Sequence, residues 1–148
     1  MSQYILDTDH VTLFQYNHPE IVQRARAIGN SNIFITTVTL EEQLRGRLAG
    51  ISRAATKPER LAIAYQNLRR TLVYFCSVNL VDFDDSAYTF YQSLRQQKIQ
   101  IGTQDLRIAA IALANQAVVV TRNQRDFSKV PYLSLEDWTV VNFPNSSV

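Results

Sequence analysis

Three observations predict an α/β domain: a three-layer α/β/α sandwich around a central, mostly parallel sheet of four to five strands. Short apolar runs rich in Ile and Val alternate along the chain with longer stretches whose apolar residues recur at helical spacing. The runs are continuous, as in strands covered on both faces, and do not alternate with polar residues. Only four Gly and four Pro occur in 148 residues, which leaves little room for long linkers. Strands that alternate with helices imply a parallel sheet between helical layers. Residues 1–148 therefore read as one domain, with length enough for a real core.

The elements follow in order. Residues 4–6 (Tyr, Ile, Leu) make the first strand, and residues 10–16 a short helix. Pro19 suits the first turn of the next helix, which carries Ile21, Val22, Ala25 and Ile28 and ends at Gly29 and Asn30. Residues 33–35 form the second strand. The third helix bears the stripe Leu40, Leu44, Leu48 and Ile51, and the fourth, residues 58–75, carries Leu61, Ala64, Tyr65, Leu68 and Leu72 on one side. A third strand covers residues 78–81. Asp84 caps a helix facing inward with Ala87, Phe90, Tyr91 and Leu94. Residues 106–114 are apolar nearly all round, so that helix is buried on most sides, with Thr103 as its N-cap. Residues 117–120 are a fourth strand and 132–135 a fifth, with Trp138 anchoring the tail.

Composition excludes several classes. No apolar run approaches the roughly 20 residues of a membrane helix. The start of the chain lacks a signal peptide's basic and apolar blocks. A lone cysteine, Cys76, rules out an internal disulfide and suits a reducing cytoplasm, and its apolar surroundings read as buried. His10 and His18 are the only histidines and have no zinc spacing; both read as solvent-facing or capping. No Gly-rich phosphate loop is present. A net charge of +2 is too weak by itself to diagnose nucleic-acid binding.

The chemistry lies in acids placed at strand ends and helix starts. Asp7 ends the first strand, where open α/β folds place their ligand crevice. Asp105 opens the buried helix and shares its face with Ile108, Ala109 and Ala112, which aims it at the sheet. Periodicity leaves Glu41 and Glu42 as alternatives; Glu42 shares its face with Val38, Gly46 and Ala49, a small apolar face on which a carboxylate needs a reason. Asn123 and Asp126 follow the fourth strand, and either reaches a crevice there. Arg45, Arg47, Arg53, Lys57 and Arg60 cluster near one helix turn, and Arg122, Arg125 and Lys129 lie beside the last acid. Basic side chains so placed grip phosphates.

Together these residues resemble the PIN-domain nucleases, and within them the VapC toxins. The resemblance runs from Ile5 to Trp138. It rests on Leu6-Asp7-Thr8-Asp9, on Thr39-Leu40-Glu41-Glu42-Gln43-Leu44-Arg45-Gly46, on Ile101-Gly102-Thr103-Gln104-Asp105 and on Thr121-Arg122-Asn123-Gln124-Arg125-Asp126-Phe127. It implies a PIN-like fold and a metal-dependent endoribonuclease, the toxin of a pair neutralised by a VapB-like antitoxin. The family's Glu falls on Glu42. Two positions depart from the pattern: Asp9 replaces the usual Asn and adds a candidate ligand, and Asn123 stands where many members carry the fourth acid.

The implied site has Asp7 and Asp105 as direct ligands of Mg²⁺ or Mn²⁺, both of which favour oxygen donors. Glu42, Asn123 and Asp126 are further ligand candidates, and Asp7, Glu42, Asp105 and Asp126 form the catalytic set. RNA contacts are expected from Arg45, Arg47, Arg122 and Arg125. The family resemblance also implies a homodimer, with Tyr65, Leu72, Tyr74, Phe90 and Tyr91 as interface candidates. The alternative is a non-catalytic PIN-like binding or scaffold domain, which the retained Asp7, Glu42 and Asp105 disfavour.

Overall fold

Alternation within very short strands decides how the layers assemble. The computed structural model describes residues 2–140. In it, β1 (Tyr4–Leu6) sends Ile5 into one core and Leu6 into the other. β2 (Ile33–Thr36) and β4 (Val118–Val120) repeat the pattern: Phe34 and Val119 face the first core, Ile35 and Val120 the second. β3 (Leu80–Val81) and β5 (Ser134–Glu136) complete a five-stranded sheet in the order β3-β2-β1-β4-β5. Every pairing is parallel.

The helices cover both faces, as the alternation demands. α5 (Asp85–Gln96) and α6 (Thr103–Asn115) pack on the first, where residues 108–112 are all buried. α1 (Thr8–Gln15), α2 (Pro19–Ile28) and the end of α4 (Pro58–Cys76) pack on the second, together with Trp138. α3 (Thr37–Ala54) runs from β2 and pairs with α4 as a helical hairpin. A short turn of helix, α7 (Gln124–Phe127), follows β4. Among the described residues no helix is long and apolar enough to cross a membrane.

Several expectations are corrected. α1 begins at Thr8, two residues earlier than expected, because Asp7 already occupies the N-cap position. Gly102 takes the N-cap of α6, so Thr103 becomes its first residue. β5 starts late because Tyr132 is left-handed (φ 66) and fully solvent-exposed, a conformation no strand admits. Cys76 is exposed at the last residue of α4. On α4 the inward residues are Thr71 and Phe75, while Tyr65 and Leu72 face solvent, as does Leu48 on α3. His10 does not face solvent: it is fully buried.

Order in the sheet fixes where a ligand goes. The chain moves outward from β1 to β2 and β3, then returns to the other side of β1 for β4 and β5. The direction reverses between β1 and β4, so the crevice opens beyond their carboxyl ends. Asp7 and Thr121 are the residues that leave the sheet there.

Candidate active site

Asp7 is buried at that switch point, 6% exposed. Its backbone N–H continues the ladder to the Val120 carbonyl at 2.9 Å. Its side chain makes no helix cap. Instead Oδ2 accepts the Thr121 hydroxyl at 2.9 Å, across the gap between the two strand ends. Thr121 Oγ1 in turn accepts the backbone N–H of Asn123 at 2.9 Å. One buried threonine thus fixes both the first acid and the loop carrying the last. Sequence reasoning passed over Thr121; a polar residue ending an all-Val strand was its signal.

Glu42 comes from α3, which Thr36 caps by accepting the Thr39 N–H at 3.1 Å. Its Oε2 accepts the Thr8 hydroxyl at 3.5 Å, so the second acid is tied to the residue after the first. Glu41 looks elsewhere. It pairs with Arg45 at 2.8 Å and accepts Gln104 Nε2 at 3.0 Å. The ambiguity left by periodicity is resolved by these partners: Glu42 lines the crevice and Glu41 braces α3 against α6.

Asp105 projects from the first turn of α6, half-buried. Asp126 lies in α7 and is held by Asn123 in two ways. Asn123 Oδ1 caps α7 by accepting the Asp126 N–H at 3.3 Å, and its Nδ2 donates to Asp126 Oδ2 at 3.1 Å. Asn123 is therefore the clamp and Asp126 the acid it aims. Lys129 lies 3.7 Å from Asp126.

Asp9 is engaged outside the cluster. Oδ1 lies 2.8 Å from His10 Nδ1 and Oδ2 accepts the Arg122 N–H at 3.2 Å. With both oxygens engaged, it is poorly placed as an ion ligand. Of the basic residues, Arg45 is committed to Glu41, Arg47 donates from Nε to Thr71 at 2.8 Å, and the Arg122 and Arg125 side chains are exposed beside the crevice.

The acids feel one another. Burial pushes the Asp7 carboxyl up to about 6, and the charges of Asp9 and Asp105 push the same way. Glu42 is raised by burial and then by Asp7. Asp105 is raised by burial, then by Glu42, Asp126 and Asp9. Asp9 is the exception. Burial would raise it, but the hydrogen bonds from His10 and from the Arg122 N–H together hold it below the ordinary carboxylate range. Among the described residues no Lys or Arg pairs with Asp7, Glu42 or Asp105.

Mutual repulsion between unpaired, half-buried carboxylates is relieved by a divalent cation. The donors are all oxygen, which suits a hard ion. Among the described residues, no three His, Cys, Asp or Glu side chains draw together tightly enough to cage an ion.

Comparison with known proteins gives the family and the fold. The PIN domain matches residues 4–132 of the chain. This chain belongs to the PIN domain family. Ribonuclease VapC2 of Rickettsia felis is 28% identical over 141 residues, which cover 91% of this PIN domain's chain and 97% of the relative. The tRNA(fMet)-specific endonuclease VapC of Salmonella typhimurium is 28% identical over 142 residues, 93% of this chain and 99% of that one. The DNA-bound VapBC structure from Salmonella typhimurium shares the fold with a TM-score of 0.75 at 24% identity, over 93% of this chain and 99% of the matched chain. VapBC2 from Rickettsia felis, bound to a promoter DNA fragment, gives 0.68 at 28% identity over 91% and 98%. The PIN domain described here therefore shares its fold with these structures over nearly their whole length.

Proposed function

We propose that this PIN domain is a Mg²⁺-dependent endoribonuclease, the toxin of a VapBC-like pair, acting in the cytoplasm and neutralised by a VapB-like antitoxin. The observation that carries the reading is the meeting of Asp7, Glu42 and Asp105. They come from three separate elements, burial and then one another's charge raise their pKa values, and no cation pairs with them among the described residues. The relatives named ribonuclease and endonuclease VapC support the substrate class, and the VapBC structures support the partner.

Asp7 and Asp105 would hold the ion. When bound, Mg²⁺ or Mn²⁺ polarises the scissile phosphate and makes water more acidic. Glu42 orients the attacking water, and its raised proton affinity suits it to accept that water's proton. Oxygen of the water bonds to phosphorus as the bond to the departing ribose oxygen breaks, and that oxygen takes up a proton. Asp126, aimed by Asn123, holds waters at the rim. Thr121 keeps Asp7 facing the crevice.

Expression of the chain alone in bacteria tests the reading. We expect growth arrest with RNA fragmentation, abolished by Asp105→Asn, which removes charge at nearly constant shape. The loss should exceed the roughly 10–100-fold cost of removing an outer hydrogen-bond partner of a metal ligand. Continued arrest by a folded Asp105→Asn protein contradicts the proposal and favours a binding or scaffold role.

A further inference from the structure

We propose that an RNA strand leaving the acid crevice lies in a continuous track along α3, where Tyr16 stacks a base and Arg47, Arg53, Lys57 and Arg60 hold phosphates. The inference rests on the ribonuclease reading of the crevice and adds where the rest of the substrate goes.

Two grooves make the track. The first runs between α1 and α3, with Thr8, Thr12 and Tyr16 on one wall and Gln43, Gly46 and Arg47 on the other. It begins at the crevice, because Thr8 is the residue that touches Glu42. The second, of about 470 Å³, lies between α3 and α4 and is lined by Gly46, Arg47, Gly50, Arg53, Lys57 and Arg60 among others. Gly46 and Arg47 line both, so the two are one path. Helical rise puts Arg53 roughly 16 Å beyond Glu42, well past the scissile linkage.

The chemistry along the path is that of a single strand. Four cations line the second groove and no carboxylate does. Among the described residues none of the four makes an ion pair. Arg47 is pre-set: its Nε is tied to the Thr71 hydroxyl, itself buried, so the fork is held in place before a phosphate arrives. Tyr16 is 80% exposed at the end of α1, an aromatic face presented at the side of the path. A basic groove with an aromatic platform is how strands are held without reading sequence. At the junction, a Cβ on Gly46 would meet nothing within 4 Å, so the path is open there. An acidic peptide would also suit the cations; the exposed face of Tyr16 beside the path, a platform on which a base stacks, favours RNA.

Binding measured in EDTA separates this from cleavage. The probe is a fluorescein-labelled single-stranded RNA of about 12 nucleotides, within the range one such surface covers. Tyr16→Ala should weaken binding about tenfold. Arg53→Ala with Arg60→Ala should lower the salt slope by roughly 1.4, two phosphates' worth. Gly46→Leu puts a side chain into the junction from a Cβ that meets nothing within 4 Å and strengthens the helix, so a loss of affinity with an unchanged melting temperature is blockage, not misfolding. Arg26→Ala, an exposed cation outside both grooves, is the control. Wild-type affinity in all three variants overturns the track, as does loss of binding to an acidic peptide with RNA binding intact. If wild type binds RNA through these residues yet cleaves none, the track stands and the ribonuclease reading falls.

Discussion

The ring of His10 ties Asp9 to the far end of the chain. Nδ1 lies 2.8 Å from Asp9 Oδ1, while Nε2 accepts the backbone N–H of Trp138 at 3.1 Å. The Trp138 donor fixes the tautomer: Nε2 is bare, so Nδ1 carries the proton and donates to Asp9. Asp9 passes the connection on to Arg122 at the exit of β4. Three remote segments, the start of α1, the loop after β4 and the tail after β5, are locked by one buried imidazole.

From this lock follows a prediction about stability. His10→Ala should cost about 2–4 kcal/mol, from the cavity and from the Trp138 N–H left without its partner. Asp9→Asn should cost about 1 kcal/mol. It should leave Mg²⁺ affinity close to wild type, because both Asp9 oxygens already serve the lock. Urea titration and calorimetry with Mg²⁺ check the two halves; a large loss of affinity in Asp9→Asn makes it a ligand after all.

Asp7 sets a pH dependence whose sign can be worked out. Its folded value, about 6, lies above its unfolded value of 3.8. The protonated form is favoured in the fold, so this stabilisation is complete below 3.8 and is lost as pH rises through about 6. The metal-free protein should therefore be more stable near pH 5 than near pH 7.5, by on the order of 1 kcal/mol from Asp7. Metal affinity should run the other way, rising as Asp7 ionises. Thermal melts with EDTA and with excess Mg²⁺ across that range should nearly coincide near pH 5 and separate toward pH 7.5; parallel curves contradict the prediction.

The fourth position divides between two residues. Asp126→Asn should weaken Mg²⁺ binding and cleavage, yet less than Asp7→Asn, since it acts from the rim. Asn123→Asp removes the donor that clamps Asp126 Oδ2 and sets two carboxylates side by side. That variant should be less stable without metal and more strongly stabilised by it. Differential scanning with and without Mg²⁺ reads both. An Asp126→Asn protein equal to wild type, beside a dead Asn123→Ala, would hand the role to Asn123.

Much of this was legible in the residues. The strands and helices were, because buried parallel strands are continuous apolar runs and α6 is apolar all round. Asp7 and Asp105 were legible because each follows or opens such an element. Glu41 and Glu42 could not be separated by periodicity, since adjacent helix positions differ by only 100° and the decision lies in partners 63 and 34 residues away, Gln104 and Thr8. The buried state of His10 was invisible for the same reason: Trp138 is 128 residues distant. Cys76 misled because its neighbour Phe75 takes the inward side of that helix end and leaves Cys76 facing out.

Assembly gives a further test. Tyr65 and Leu72, two turns apart on α4, are both more than half exposed, whereas Tyr91 is buried in the core. A homodimer should use the exposed pair, with Tyr74 and Tyr91 left to packing within the protomer. Leu72→Glu should then give a folded monomer by light scattering at tens of micromolar, with wild type a dimer. Wild type already monomeric removes the prediction.

The central claim is that Asp7 and Asp105 hold a divalent ion on which RNA cleavage depends. Its most direct test is a Mg²⁺ titration of EDTA-treated protein, followed at each concentration by cleavage of a mixed RNA pool, for wild type, Asp7→Asn and Asp105→Asn. Wild type should be silent in EDTA and recover with saturable Mg²⁺ dependence, while both variants bind the ion at least about tenfold more weakly and recover little activity. Cleavage by wild type in excess EDTA, or wild-type titration curves in both folded variants, would contradict the account.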